Sequence, residues 1–251
     1  MIHPTPKIKP IIQNIEKANR ISYVVFGDHP QYSLGMFHNL VIAPKIYPGW
    51  VPRIYTDKVD HRCNFYEEMN AEVFLVKDNL PAMLWRMLSI DDERCDRIIF
   101  RDADSLLSFR EKSAVDEWIN SKKTFHRMKE SPHLETTPVL AGMWGVNSDI
   151  WRSRFGRVYE SLKNLVNFSE YNQSLDNQNT PARFRPKLDE KFLFEHVWKI
   201  AKDDFYSSGY SDRHGTSVEF SVKYEARNKF AIEPCDFVGS RIYNSKWLKK
   251  S

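Results

Sequence analysis

Short apolar runs alternate with amphipathic stretches along this chain, and the alternation predicts strands and helices in turn. Ser22–Phe26 (SYVVF), Val51–Thr56 and Val73–Val76 read as strands, being short, apolar and rich in β-branched or aromatic residues. Ile98, Ile99 and Phe100 form a fourth such run. Between them, Leu34–Ala43 reads as a helix closed by Pro44 and the Pro48-Gly49 turn. Pro81–Ile90 reads as another, with Met83, Leu84, Met87 and Leu88 on one face and Arg86 off it. Ile11, Ile12 and Ile15 suggest a short leading helix.

Farther along, Ser108 and Glu111 have the spacing of a capping box, opening a helix that turns Ala114, Val115, Trp118 and Ile119 inward. Thr124–Met128 and Val139–Val146 are further strand candidates. A long helix is expected from about Ser148, carrying Ile150, Trp151, Phe155, Val158, Leu162 and Leu165. Tyr171–Thr180 is polar and reads as a loop. Leu188–Ala201 is a helix burying Phe192, Leu193, Val197, Trp198 and Ala201, and the last fifty residues are irregular.

Strands alternating with helices predict an α/β fold, with a mostly parallel central sheet flanked by helices. Ligands of such sheets gather beyond the carboxyl ends of the strands. Gly27–Asp28, Asp57 and the acidic residues after Phe100 would then share one rim.

Composition narrows the partners. With 251 residues, 41% of them hydrophobic, the chain can fill a core. Its net charge of +4 is spread along the sequence, without the dense basic run of a nucleic-acid binder. Cys63, Cys95 and Cys235 lack metal-ligand spacing and fit a reducing compartment. The opening MIHPTPKIKP has no apolar segment, and no stretch approaches the ~20 apolar residues that cross a bilayer. A soluble, cytoplasmic chain is expected, with at most peripheral membrane contact through Lys246–Ser251.

The chemistry centres on Arg97–Ser105 (RIIFRDADS), where Asp102 and Asp104 follow a buried strand. Residues two apart on an extended backbone point the same way, so both carboxylates can face one cation. Hard oxygen donors suit Mg²⁺ or Mn²⁺ together with a phosphate-bearing substrate. The plain alternatives are solvated turn residues or a helix N-cap.

The segments FRDADS, REKSAVDEWINS, FHRMKESPH and AGMWGVN occur in an order that resembles bacterial and viral GT-A-type glycosyltransferase-like proteins. There the motifs often read RDADSR, RE..AV.EW, FH.MRDHP and GGMWG, followed by a DQ.FL helix and a closing FVG. The resemblance runs from about Arg86 to Gly239. Phe237-Val238-Gly239 matches, while Leu106, Lys129-Glu130 and Asp189-Glu190 stand where the pattern has Arg, Arg-Asp and Asp-Gln.

The resemblance implies a single GT-A (Rossmann-like) domain over 1–251, its nucleotide-binding half at about 20–105 and its acceptor and catalytic half at about 106–245. It also implies a third metal ligand from the C-terminal part, His214, with Asp212 as the rival. Asp189 and Glu190 open a helix, where the dipole alone favours acids. In related folds a residue there faces the donor sugar or the acceptor hydroxyl, as a base or as a positioning group. Gly142 would let a ligand approach the backbone. Trp144 would stack on a sugar, or else belong to the core. Asp57 would contact the base or ribose, and Arg86 the diphosphate with its planar fork. Arg101 and Arg110 are weaker phosphate candidates, and His126 and His133 flank a possible acceptor loop.

The implied activity is metal-dependent transfer of a sugar from a nucleoside diphosphate donor to a glycan or lipid-linked acceptor, as in polysaccharide biosynthesis. Retention of anomeric configuration is slightly favoured. The competing readings are a non-catalytic nucleotide-sugar or glycan-binding module and an Asp-x-Asp phosphatase of the haloacid-dehalogenase type. In the latter, Asp102 would be a nucleophile, but that motif normally lies near the start of the chain.

Overall fold

The computed structural model describes residues 6–13, 16–129, 137–167, 188–209, 211 and 215–221. Among them, eight strands make one sheet: β1 Ile8–Ile12, β2 Ala18–Val25, β3 Val51–Thr56, β4 Glu72–Val76, β5 Cys95–Phe100, β6 Phe125–Lys129, β7 Trp144–Asn147 and β8 Phe205–Gly209. Their order is β1-β4-β3-β2-β5-β7-β6-β8. β2, β3, β4, β5, β6 and β8 run one way, and β1 and β7 run against them. The mostly parallel α/β sheet expected from the sequence is the one observed.

Side-chain alternation along β2 divides the core. Ile21, Tyr23 and Val25 face helices α1 (Pro30–Ile46), α2 (Arg62–Glu68) and α3 (Phe109–Ser121). Val24 and Phe26 face the opposite layer, which holds the 3-10 helix Ala82–Asp91, α4 (Ser148–Phe155), α5 (Val158–Asn167) and α6 (Leu188–Phe192). Helices thus cover both faces, as a mostly parallel sheet requires.

Several elements differ from the sequence expectation, each for a local reason. The leading isoleucines form strand β1 rather than a helix; it pairs antiparallel with β4 at the sheet edge, where Pro10 is tolerated. Ile15 lies outside the described residues. β2 starts four residues early because Arg20 is buried against Glu72, which also takes Arg53 at 2.6 Å. Arg53 reaches on to Asp92 at 2.8 Å, so charges at the amino ends of the parallel strands neutralise one another. α1 runs longer at both ends, with Pro30 in its first turn, where proline's missing N–H costs nothing. Gly156, at φ +73°, divides the single helix expected after Ser148 into α4 and α5. Asp91 then accepts from the Val158 and Tyr159 amides at 2.6 and 3.0 Å. The strand expected over Val139–Val146 is confined to β7, and α6 passes into a π-helical stretch, Leu193–Trp198. The buried face expected for that segment is present, with Phe192, Leu193, Val197, Trp198 and Ala201 all inside.

The chain builds β2, β3 and β4 outward in one direction and then returns to place β5 on the other side of β2. The strand order therefore reverses between β2 and β5. Crevices open at such points beyond the strands' carboxyl ends.

Candidate active site

A cleft of 340 Å³ lies at that reversal, lined by Val24 and Phe26 at the end of β2, Tyr32, Met83, Arg86, Asp102, Ala103, Asp104 and Asp189. Four side chains singled out in the sequence, Arg86, Asp102, Asp104 and Asp189, therefore meet in one place.

The acidic segment is a turn rather than a continued strand, since the Ser105 amide donates to the Asp102 carbonyl at 3.1 Å. Both carboxylates still line the cleft. The Asp102 side chain is 49% exposed, whereas Asp104 is 4% exposed and accepts from the Gln31 amide. Ala103, between them, packs inward.

Helix α1 fixes this turn. Gly35 lies so close to the Ala103 carbonyl and the Asp104 backbone that a Cβ would overlap both. One helical turn on, buried Asn39 donates to the carbonyls of Ala103 at 3.1 Å and Ser105 at 2.9 Å. Its own oxygen accepts from the Leu107 amide at 3.0 Å. The sequence reading missed Gln31, Gly35 and Asn39. The available signal was a glycine and an amide four residues apart, hence on the same face of an amphipathic helix.

The turn is also held from beneath. Arg101 is buried, donating to Glu111 at 3.1 Å and to the Phe100 carbonyl at 2.8 Å, and Tyr47 donates to the same Glu111 oxygen at 3.0 Å. Burial raises the Glu111 pKa, opposed by Arg101 and by the hydrogen bond from Tyr47. Burial also raises Tyr47. Ser108 caps α3 as expected, accepting from the Glu111 amide at 3.2 Å. Arg101 is thus a structural cation, and Arg110 stands over the Phe220 ring at 4.3 Å; neither lines the cleft.

Arg86 is not on an outer face. The segment winds as a 3-10 helix with three residues per turn, which puts Met83 and Arg86 together on the cleft side. The Arg86 side chain is 7% exposed. It donates to Asp102 at 2.6 Å, to the Arg101 carbonyl at 3.2 Å and to Asp189 at 2.9 Å. Burial works against its charge, but Asp102 and Asp189 together hold its pKa above the ordinary arginine value. The free phosphate fork expected from the sequence is in this structure a carboxylate bridge. Asp189 itself is buried, and Glu190 accepts from Thr137 at 3.5 Å.

The remaining candidates separate. Asp57 accepts from the Gly27 amide at 3.2 and 3.3 Å, joining the ends of β3 and β2, with Lys58 paired to Asp28 beside it. Gly142 lies directly against the Asp102 carboxylate. The Trp144 expectation is corrected. Its ring is fully buried and stacks on Phe100 at 4.2 Å, in the core rather than in the cleft. His126 is buried as well, stacked on Trp118 and 2.9 Å from the Ser208 hydroxyl. Burial, and secondarily Arg101, lowers its pKa well below the usual histidine value. His133, Asp212, His214, Tyr171–Thr180 and Phe237-Val238-Gly239 lie outside the described residues.

Among the described residues, no cluster of three or more His, Cys, Asp or Glu side chains is gathered to hold a metal ion. Asp102 and Asp104 supply two hard oxygen donors on one cleft, a donor set that fits Mg²⁺ or Mn²⁺ in kind.

No family model and no curated protein matches this chain. Among solved structures, it is similar to a glycosyltransferase involved in glycosylation of the major capsid of PBCV-1. The identity there is 12% over 76% of this chain and 81% of that chain, with a TM-score of 0.45. It is similar to the galactosyltransferase LgtC in complex with donor and acceptor sugar analogs, at 12% identity over 75% and 73% of the two chains, TM-score 0.47. A third similar structure is the mannosyltransferase PcManGT from Pyrobaculum calidifontis in complex with GDP-Man and Mn²⁺, at 10% identity over 80% and 76%, TM-score 0.40.

Proposed function

We propose that this chain is a metal-dependent GT-A-type glycosyltransferase, moving a sugar from a nucleoside diphosphate donor to a glycan or lipid-linked acceptor. The observation that carries the reading is the convergence of Asp102, Asp104 and Asp189 on one cleft where the strand order reverses. In the reaction the bond from the anomeric carbon to the diphosphate breaks, and its electron pair leaves with the diphosphate. The acceptor hydroxyl oxygen bonds the anomeric carbon, and its proton is released.

Asp102 and Asp104 would hold Mn²⁺ or Mg²⁺, which supplies counter-charge for the leaving diphosphate. The nucleoside would lie toward Gly27 and Asp57, on the same rim. Asp189, held by Arg86 near the acidic turn, would position the donor sugar, in keeping with retention. Glu190, next to it, would face the acceptor side. The half over 20–105 would thus serve the nucleotide and the half over 106–245 the acceptor. Among the described residues, no helix is long and apolar enough to cross a membrane.

A melting-temperature screen of UDP, GDP and their sugars, with and without Mn²⁺, tests the reading. Stabilisation by one nucleotide only when Mn²⁺ is present, followed by turnover of its sugar donor, supports it. Binding without turnover of any donor would leave a binding module, and phosphate release from monoesters without a nucleotide response would favour the phosphatase.

A further inference from the structure

Arg86 places a guanidinium between two carboxylates of the cleft. One of its nitrogens donates to Asp102 Oδ1 at 2.6 Å, and the other donates to Asp189 Oδ2 at 2.9 Å. The two acids stand 87 positions apart in the sequence, one on the turn after β5 and one at the start of α6. The planar fork touches both. Asp102 Oδ2, for its part, lies against Gly142. One oxygen of this carboxylate is therefore occupied by a positive charge and the other is packed against backbone.

We propose that Arg86 is a positioning residue that ties the acidic turn to the Asp189 helix start and competes with the divalent cation for Asp102. The inference rests on reading Asp102 and Asp104 as the cation's ligands. A Mg²⁺ ion sits roughly 2.0–2.1 Å from its oxygen ligands, closer than the guanidinium nitrogen. The ion and the guanidinium are both positive and would share the Asp102 carboxylate, so their repulsion loosens the Arg86–Asp102 pair on ion entry. Binding linkage is reciprocal: whatever strengthens that pair weakens the ion, by the same factor. The Arg86–Asp189 bond need not break in this exchange. Arg86 then stays in the cleft, turned toward Asp189 and whatever anion accompanies the ion. In this way cation binding is coupled to the placement of Asp189.

The test is a Mn²⁺ titration of the full chain, read from the electron paramagnetic resonance signal of free Mn²⁺, with no donor present. Wild type, Arg86→Met, Arg86→Lys and Asp104→Ala are compared. Competition predicts that Arg86→Met binds Mn²⁺ about tenfold more tightly. Arg86→Lys should also bind more tightly, because a single ammonium cannot bridge both carboxylates. A purely structural role would instead loosen the cleft and weaken binding. Equal or weaker Mn²⁺ affinity in Arg86→Met overturns the inference. Should Arg86→Met not fold, Arg86→Lys decides by the same rule. If wild type binds Mn²⁺, Asp104→Ala loses it and the Arg86 variants leave it unchanged, the cation site stands and only the competition falls. If neither wild type nor the Arg86 variants bind Mn²⁺, the cation site is wrong and the competition falls with it.

Discussion

Gly142 lies so close to the carboxylate of Asp102 that a methyl group on residue 142 would overlap the side chain it faces. The turn leading into β7 therefore shapes the space in which the acidic motif works. Gly142→Ala should leave the fold in place, because Asp102 is half exposed and can swing away. If Asp102 holds the cation as proposed, Mn²⁺-dependent nucleotide binding should weaken roughly tenfold or more, the scale for disturbing the support of a metal ligand. Calorimetric titration of the variant with nucleotide in Mn²⁺ checks this; unchanged affinity would show that the Asp102 rotamer is immaterial.

Asp104→Ala should abolish the Mn²⁺-dependent gain in stability from nucleotide. A ligand present at 100 times its Kd stabilises the folded state by about 2.7 kcal/mol, and that increment should vanish in the variant. Asp104→Asn, which can still meet the Gln31 amide, separates loss of charge from loss of packing. Both variants should melt alike with and without nucleotide.

Asn39→Ala removes three hydrogen bonds at a buried position and strands two carbonyls and an amide of the acidic turn. The expected cost is about 3 kcal/mol, which for a chain of this size lowers Tm by roughly 6–12 °C. Asn39→Asp, which lacks the donors, should fare no better. A differential scanning measurement on both variants decides it.

Burial keeps His126 neutral in the folded protein, its pKa held well below 6.5. The unfolded chain takes up a proton first as the pH falls. The stability associated with His126 is therefore complete above pH 6.5 and declines below it, by about 1.4 kcal/mol per pH unit until the folded pKa is reached. His126→Phe should flatten the urea midpoint between pH 7 and pH 5.5. The carboxylate Asp92 acts in another window: burial raises it, yet Arg94 and Arg53 bring it to about 2. Its contribution is present above the usual carboxylate pKa near 3.8 and fades only as the pH falls toward 2. An unchanged slope in His126→Phe would show that a different group controls the acid side.

What could be read from the residues was whatever a single strand or helix carries within itself. Val51–Thr56 is a strand with the bounds its apolar run implies. The acidic pair does follow a fully buried Ile98–Phe100 at the rim of a mostly parallel sheet. Relationships between distant segments were not legible. Arg86 reads as a surface residue under a 3.6-residue period and turns inward only because its helix has three residues per turn. Trp144 has the same appearance in sequence whether it serves a ligand or the core, and it is the Phe100 ring on the neighbouring strand that decides. Gln31 and Asn39 look like ordinary polar helix positions until Asp104 and Ala103, more than sixty residues later, arrive beside them.

At the other end of the strands, Arg20, Glu72, Arg53 and Asp92 pair their charges inside the protein. The molecule is thus polarised along its strands, one pole electrostatically closed and the other open to visitors. Mutational damage should sort by pole. Changes at the closed one would surface as lost yield and thermal tolerance, with turnover per folded molecule preserved. Changes to the cleft acids Asp102 and Asp104 at the open one would leave well-behaved protein that does nothing.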